Sequence, residues 1–190
     1  MKLFLIIILL AACLPAVDAR ALLPEATLMG IPSDTSSGNL GIQAAYWSRF
    51  NATESGDLDE ILFRSTIEAG ADYAKVALYG PGVDATHPGA LLTLNNTSAQ
   101  FFNGVWNVRP VPAVGVTEGT TYWIAIVAGG QQAHTHATVT NNWGYMGHIL
   151  TNDHEGYIFP ATPGALTADA AGDSLTAYAR GHVQREERPT

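Results

Sequence analysis

The chain has 190 residues, of which 47% are hydrophobic and 14% are charged. This length suits one domain, and the hydrophobic content excludes an intrinsically disordered chain. Seventeen acidic residues against nine basic ones give a formal charge of −8. Since the basic residues are also scattered, the sequence argues against nucleic-acid binding.

The N-terminal segment has the pattern of a secretory signal. A lysine-led apolar run ends near Ala12 and is too short to cross a bilayer stably. We predict cleavage after Ala19, so that residues 1–19 form a signal peptide and the protein is secreted or reaches the cell surface. Alternatively, the run ending in Cys13 resembles a bacterial lipobox, in which lipidation of that cysteine would attach the protein to a membrane. Because Cys13 is the only cysteine, the exported domain is expected to lack an internal disulfide.

The remainder divides into an arm, a folded body and a tail. Residues 20–40 carry two prolines and a polar Ser/Thr/Gly run, which predicts an extended N-terminal arm. Residues 41–183 break into short β-rich runs separated by Gly, Pro, Asn and Asp, and residues 184–190 form a charged tail. This pattern predicts an all-β fold, a two-sheet antiparallel β-sandwich, jelly-roll-like, with about nine strands. The predicted strands are 43–52, 57–68, 73–80, 89–96, 104–109, 111–117, 120–129, 133–140 and 174–183.

Alternation along these strands predicts the core. Ile61, Phe63 and Ile67 share one face of the second predicted strand, and Val76 and Leu78 share one face of the third. In the strand 120–129, Tyr122, Ile124 and Ile126 alternate with Trp123, Ala125 and Val127. The strand 120–129 is apolar on both faces, which indicates a central position in a sheet.

Five motifs in the body resemble a β-sandwich module of secreted and surface-attached microbial proteins. They are Leu78-Tyr79-Gly80, His87-Pro88-Gly89-Ala90-Leu91-Leu92, Gly104-Val105-Trp106, Val114-Gly115-Val116 and Gly119-Thr120-Thr121-Tyr122-Trp123-Ile124-Ala125. The resemblance covers about residues 43–183 and implies a jelly-roll-like fold in accessory, adhesive or carbohydrate-binding contexts. It carries no active site, and it implies that Trp106 and Trp123 are core residues.

Aromatic and amide side chains together suit sugar binding, because sugar rings stack on aromatic faces while amides bind hydroxyls. Trp47 alternates away from Tyr46, Ser48 and Phe50, which suits a position on an outer face. For Trp47 and Trp143 the alternative is burial. The less regular stretch 141–173 is either a functional loop or an aromatic cap on one end of the sandwich. The predicted ligand-binding residues are Trp47, Asn142, Trp143 and Tyr145.

Two weaker patterns suit metal ions. His134 and His136 lie two residues apart on a predicted strand, so they share a face and could bind zinc, with His148, Asp153 or His154 as a third ligand. Asp57, Asp59 and Glu60 could supply oxygens to calcium. In both cases the alternative is that the side chains simply face water without a metal.

The sequence contains no nucleophile elbow, zinc-protease helix, phosphate-binding loop or dinucleotide motif, so no catalytic residue is predicted. Asn51, Asn95 and Asn96 each begin an Asn-x-Ser/Thr glycosylation sequon.

Two functions remain open. The first is a non-catalytic extracellular module for binding or adhesion, whose partner is a polysaccharide or a cell-surface protein. The second is a structural subunit of an extracellular filament, sheath or virion. In that case the arm would add a strand to the sheet edge of a neighbour, and Leu22, Ala26 and Leu28 would fill its pockets.

Overall fold

The computed structural model describes residues 24–33, 36–39, 44–64, 73–102, 104–128, 135–138, 146–151, 156–168 and 173–184. The regular secondary structure of these residues is entirely β-strand, so they contain no helix that is long and apolar enough to span a membrane. The strands are β1 Glu25–Gly30, β2 Ser36–Asn39, β3 Ala44–Asn51, β4 Gly56–Arg64, β5 Tyr73–Tyr79, β6 Leu91–Gln100, β7 Trp106–Val116, β8 Thr121–Ala128, β9 Thr135–Thr138, β10 Met146–Leu150, β11 Thr167–Ala168, β12 Asp173–Leu175 and β13 Ala177–Val183.

Two large antiparallel sheets pack against each other. One has four strands in the order β1-β13-β4-β7, and the other has six in the order β11-β10-β3-β8-β5-β6. Strands β12, β9 and β2 form a small third sheet. The predicted two-sheet antiparallel β-sandwich is therefore confirmed. The additional strands are mostly short ones, such as β1, β2 and β11, in segments whose Pro, Ser, Thr and Gly content indicated loops.

The main core lies between the two large sheets and follows the predicted alternation. Its members from β4, β5 and β8 include the predicted residues Ile61, Phe63, Val76, Leu78, Tyr122, Ile124 and Ile126. The predicted core residue Ile67 lies outside the described residues. Strand β8 lies between β3 and β5, as expected for a strand that is apolar on both faces.

Hydrogen bonds between the edge strands β6 and β7 close one side of the sandwich. The Asn95 amide donates to the Pro110 carbonyl at 2.7 Å, and the Thr93 hydroxyl donates to the Pro112 carbonyl at 2.8 Å. Proline has no backbone N–H to contribute to a sheet, and β7 accommodates two prolines because it is an edge strand. The prolines therefore do not divide this segment into the two strands that were predicted; β7 continues through both.

A buried arginine reinforces the same closure. Arg109 is 8% exposed, and its guanidinium donates to the carbonyls of Ala99 and Gln100 at 2.8 and 2.9 Å. It also lies over the Phe63 ring, with 5.5 Å between the guanidinium carbon and the ring centroid. Burial lowers the pKa of Arg109. A buried charged side chain thus provides hydrogen-bond donors to backbone carbonyls of β6.

The central strands of the six-stranded sheet, β3, β5 and β8, are buried on both faces. A second core covers the face that points away from the four-stranded sheet, and it includes Phe159 and Leu166. These two belong to residues 156–168, here called the cover segment, which lies across β3, β5 and β8. The remaining buried members, from those three strands, are Ala45, Trp47, Ala77, Tyr79, Trp123, Ala125 and Val127.

Hydrogen bonds as well as apolar contacts fix the cover segment to the sheet and to the loop 80–90. The bonds are Lys75 Nζ to Tyr157 O at 3.1 Å, Tyr79 Oη to Pro160 O at 2.9 Å, Leu91 N to Ala161 O at 2.8 Å and Leu166 N to Thr86 O at 3.2 Å. Burial raises the pKa of Tyr157 to about 12. This part of the stretch 141–173 therefore covers a sheet face, whereas a functional loop or a cap on the end of the sandwich was predicted from the sequence.

Candidate functional site

The outer face of the four-stranded sheet carries a pair of partly exposed aromatic rings. Trp106 of β7 and Tyr178 of β13 lie on opposite sides of β4, and their ring centroids are 4.8 Å apart at an interplanar angle of 76°. Neighbouring strands are about 4.8 Å apart, so β7 and β13 are separated by about twice that distance. The two rings must therefore lean toward each other across β4. Leu62, which pairs in register with Tyr178, is only 2% exposed.

The backbone beside Tyr178 approaches closely, which requires a glycine on the neighbouring strand. Gly30 of β1 pairs with Tyr178 and has a φ of 100°, in the left-handed region. A Cβ atom at this position would lie 2.4 Å from the Cα atom of Tyr178. Strand β1 therefore leaves the aromatic pair without a flanking side chain at this position.

The loop between β6 and β7, which precedes Trp106 in the chain, exposes two further apolar side chains. Phe102 is 64% exposed and Val105 is 50% exposed. The buried Asn107 side chain holds this loop, because it accepts from Phe102 N at 2.7 Å and donates to the carbonyls of Phe102 and Val105 at 2.8 and 3.1 Å. Phe101 anchors the other end of the loop by packing edge-on against Phe63 at 5.7 Å. The exposed side chains are therefore held by a preorganised backbone.

Ion pairs occupy the other end of the same sheet face. The Arg180 guanidinium pairs with Glu25 at 2.9 Å and also donates to Glu60. His182 lies 3.4 Å from the Asp59 carboxylate. A bulge in β4 leaves Asp59 without a register partner on either neighbouring strand. These pairs bring residues of β1, β4 and β13 together, and they place polar groups near the aromatic pair.

Asp59 is the acid in this group whose environment opposes its ionisation. Burial raises the pKa of Asp59, the carboxylates of Glu60 and Glu25 add to this effect, and His182 opposes it. A folded-state pKa above the unfolded value means that the ionised carboxylate destabilises the fold once the pH has risen through that pKa. We expect Asp59→Asn to raise the free energy of unfolding at pH 7 by at most about 0.5 kcal/mol, because the site is partly solvated.

The gain in the free energy of unfolding should vanish at about pH 3, where Asp59 is largely protonated in both the folded and the unfolded state. Urea denaturation of the two proteins at both pH values tests this expectation. A loss of stability at pH 7, or a gain that is equal at both pH values, would contradict it.

Trp47, predicted as an exposed ligand-binding residue, is fully buried. Its side chain does point away from the main core, as alternation suggested, but it is 0% exposed. The reason is the cover segment, whose Phe159 ring lies edge-on at 6.3 Å from the indole, with Tyr79 at 6.1 Å on another side. The prediction that Trp47 is a ligand-binding residue on an outer face is therefore wrong, and the alternative of burial is confirmed.

The other predicted ligand-binding and metal-binding residues are only partly placed. Asn142, Trp143, Tyr145 and His134 lie outside the described residues. His136 lies on β9 in the middle of the small sheet, opposite Leu175 on one side and Gly38 on the other. His148 contacts the Tyr46 ring, with 5.7 Å between the ring centroids. The zinc prediction therefore stays a prediction.

The calcium prediction also stays untested. Asp59 and Glu60 pair with cationic or ionisable side chains of β13, as described above, and Asp57 accepts a 3.5 Å hydrogen bond from Gln184. In the part of the chain that the structure describes, no three His, Cys, Asp or Glu side chains form a group that could hold a metal ion.

The predicted assembly arm forms part of the folded body where it is described. Ala26 and Leu28 belong to β1, which pairs with β13 of the same chain, and Leu28 and Met29 are 0% exposed in the main core. The assumption that this segment is a free arm is therefore wrong for Glu25–Gly30. Leu22 lies outside the described residues.

Neither Trp106 nor Tyr178 was predicted as a site residue from the sequence. Trp123 is buried as the resemblance implied, but Trp106 is partly exposed, and its neighbours Asn107 and Arg109 face the interior in its place. Hydrophobic alternation predicts the wrong inner face for this strand, because Trp106 and Val108 are more apolar than Asn107 and Arg109. Only the hydrogen bonds of Asn107 and Arg109 explain the reversed orientation.

No protein-family model matches the sequence, and no curated protein matches it either. The resemblance to a module of microbial surface proteins therefore stays a prediction.

Proposed function

We propose that this chain is a non-catalytic extracellular β-sandwich module that binds polysaccharide through the Trp106–Tyr178 pair. The observation that carries the proposal is this aromatic pair, which is partly exposed to solvent on a sheet face. The C–H faces of sugar rings stack on aromatic side chains, and a rigid sheet holds such side chains at little entropic cost on binding.

The geometry favours one sugar ring at the pair. Because the two rings are nearly perpendicular, they do not form one flat platform. One ring can lie under a sugar while the other borders it. Polar side chains that could bind hydroxyl groups follow along the same sheet face, where Arg64 pairs in register with Trp106 and Glu60 lies two residues from Leu62. A longer polysaccharide would extend from the Trp106–Tyr178 pair toward these polar side chains.

Trp106→Ala provides the direct test. We expect the affinity for a bound polysaccharide to fall at least about tenfold, because aromatic anchors at the centre of a site often contribute 2 kcal/mol or more. A panel of neutral, acidic and amino-sugar polysaccharides is screened by affinity electrophoresis, and positive partners are measured by isothermal titration calorimetry. Tyr178→Ala should have the same effect.

Val83→Ala is the matched control, because Val83 is 91% exposed in a loop outside this sheet. It should bind like the unchanged protein, and thermal unfolding should show that all three variants fold. Unchanged affinity in Trp106→Ala would exclude this face as the site. If no polysaccharide in the panel binds the unchanged protein, the proposed function is wrong.

Assembly through the arm, the second function considered, finds no support in the position of β1. Strand addition to a neighbour would require β1 to leave β13 and to withdraw Leu28 and Met29 from the main core.

A further inference from the structure

The three glycosylation sequons differ in how the fold holds their asparagines. The Asn51 side-chain oxygen accepts a hydrogen bond from the Thr121 hydroxyl at 2.7 Å. The Asn95 amide nitrogen donates to Pro110 O at 2.7 Å as part of the closure between β6 and β7, and its oxygen accepts from Thr97 N at 3.0 Å. A glycan on the Asn95 nitrogen would interfere with the bond to Pro110.

Asn96 lies in a bulge of β6. Ala99 pairs with Ala74 and Asn95 pairs with Val76, so the three residues 96–98 of β6 lie opposite a single residue of β5. Asn96, Thr97 and Ser98 are all exposed. The complete sequon of Asn96 is therefore accessible on the edge strand of the six-stranded sheet, and a glycan there would extend into solvent.

We propose that Asn96 is the N-glycosylation acceptor of this chain in a secretory pathway that contains an oligosaccharyltransferase. The Asn96 amide nitrogen forms a bond to the anomeric carbon of a lipid diphosphate-linked oligosaccharide. The bond between that carbon and the diphosphate oxygen breaks, the lipid diphosphate leaves, and the amide loses one proton to a base. The modification rests on the accessibility of the bulge and is independent of polysaccharide binding.

Two neighbouring substitutions separate the overlapping sequons. Ser98→Ala removes the sequon of Asn96 and keeps that of Asn95. Thr97→Val removes the sequon of Asn95 and keeps a valid one at Asn96. Both changes are small and affect exposed side chains, so both variants are expected to fold.

The full chain, behind an added host leader that ensures translocation, is expressed in a eukaryotic secretory host and recovered from both the medium and the endoplasmic reticulum. Treatment with peptide N-glycosidase in heavy-oxygen water converts each glycosylated asparagine to a labelled aspartate, which peptide mass spectrometry locates. We expect the label at Asn96 in the unchanged chain and in Thr97→Val, and its loss in Ser98→Ala. A translocated chain without a glycan, a label at Asn51 or Asn95, or a label that persists in Ser98→Ala would overturn the proposal.

Discussion

Replacing Trp47 with alanine is expected to lower the free energy of unfolding by about 3–5 kcal/mol. The indole is 0% exposed and packs among Tyr79 and Phe159 beneath the cover segment. Its removal would leave a cavity under a segment that is tied down at several points, so the surroundings can relax only partly. The measurement is urea denaturation at constant pH, followed by fluorescence of the remaining tryptophans.

Trp47→Phe is the informative companion variant, because it keeps an aromatic ring in the cluster and should lose clearly less stability than Trp47→Ala. Polysaccharide binding by Trp47→Phe should be close to that of the unchanged protein. If Trp47→Ala instead left stability unchanged and removed binding, Trp47 would be a surface ligand residue, as its alternation in the sequence first suggested.

Arg109→Ala is expected to lower the free energy of unfolding by about 2–4 kcal/mol, because it leaves the carbonyls of Ala99 and Gln100 without their charged donor. It also removes the guanidinium from the Phe63 ring. The effect should be a weakened closure between β6 and β7, seen as a lower urea midpoint in equilibrium unfolding.

Arg180→Ala is the matched control, since it removes the same side chain from the other face of the same sheet. Arg180 is partly exposed, and its pairs with Glu25 and Glu60 are accessible to solvent, so the loss should stay within about 1 kcal/mol. Equal losses in the two variants would contradict the structural role assigned to Arg109. Arg109→Lys should fall between them, because an ammonium group cannot reproduce the planar fork.

Much of the fold was predictable because β-structure has a simple period. Alternating residues such as Ile61 and Phe63 identified the inner face of β4, and Gly, Pro and Asn marked the ends of most long strands. The edge position of β7 was not predicted, although Pro110 and Pro112 are compatible with an edge strand. Short strands such as β1 and β2 were missed because local composition does not report pairing with distant residues.

The candidate site was much less predictable. The exposure of an aromatic residue depends on what lies above it, and neither the cover over Trp47 nor the open surface at Trp106 follows from their own neighbours in sequence. Buried polar residues add to the difficulty. Asn107 and Arg109 are inside because they satisfy backbone groups of the loop and of β6, and that requirement becomes visible only when the two strands are side by side.

Burial of β3, β5 and β8 on both faces also affects how the register between these strands is specified. In a sheet with one solvent-exposed face, a register shift by one residue is unfavourable because polar side chains would enter the core. In β3, β5 and β8 both faces are largely apolar, so polarity alone penalises such a slip less. Side-chain size distinguishes the correct register from shifted ones, since Trp47 pairs in register with Ala125, which in turn pairs with Ala77. The register is thus specified by the volumes of opposing side chains, and overpacking at Ala77 or Ala125 would favour misaligned strands during folding.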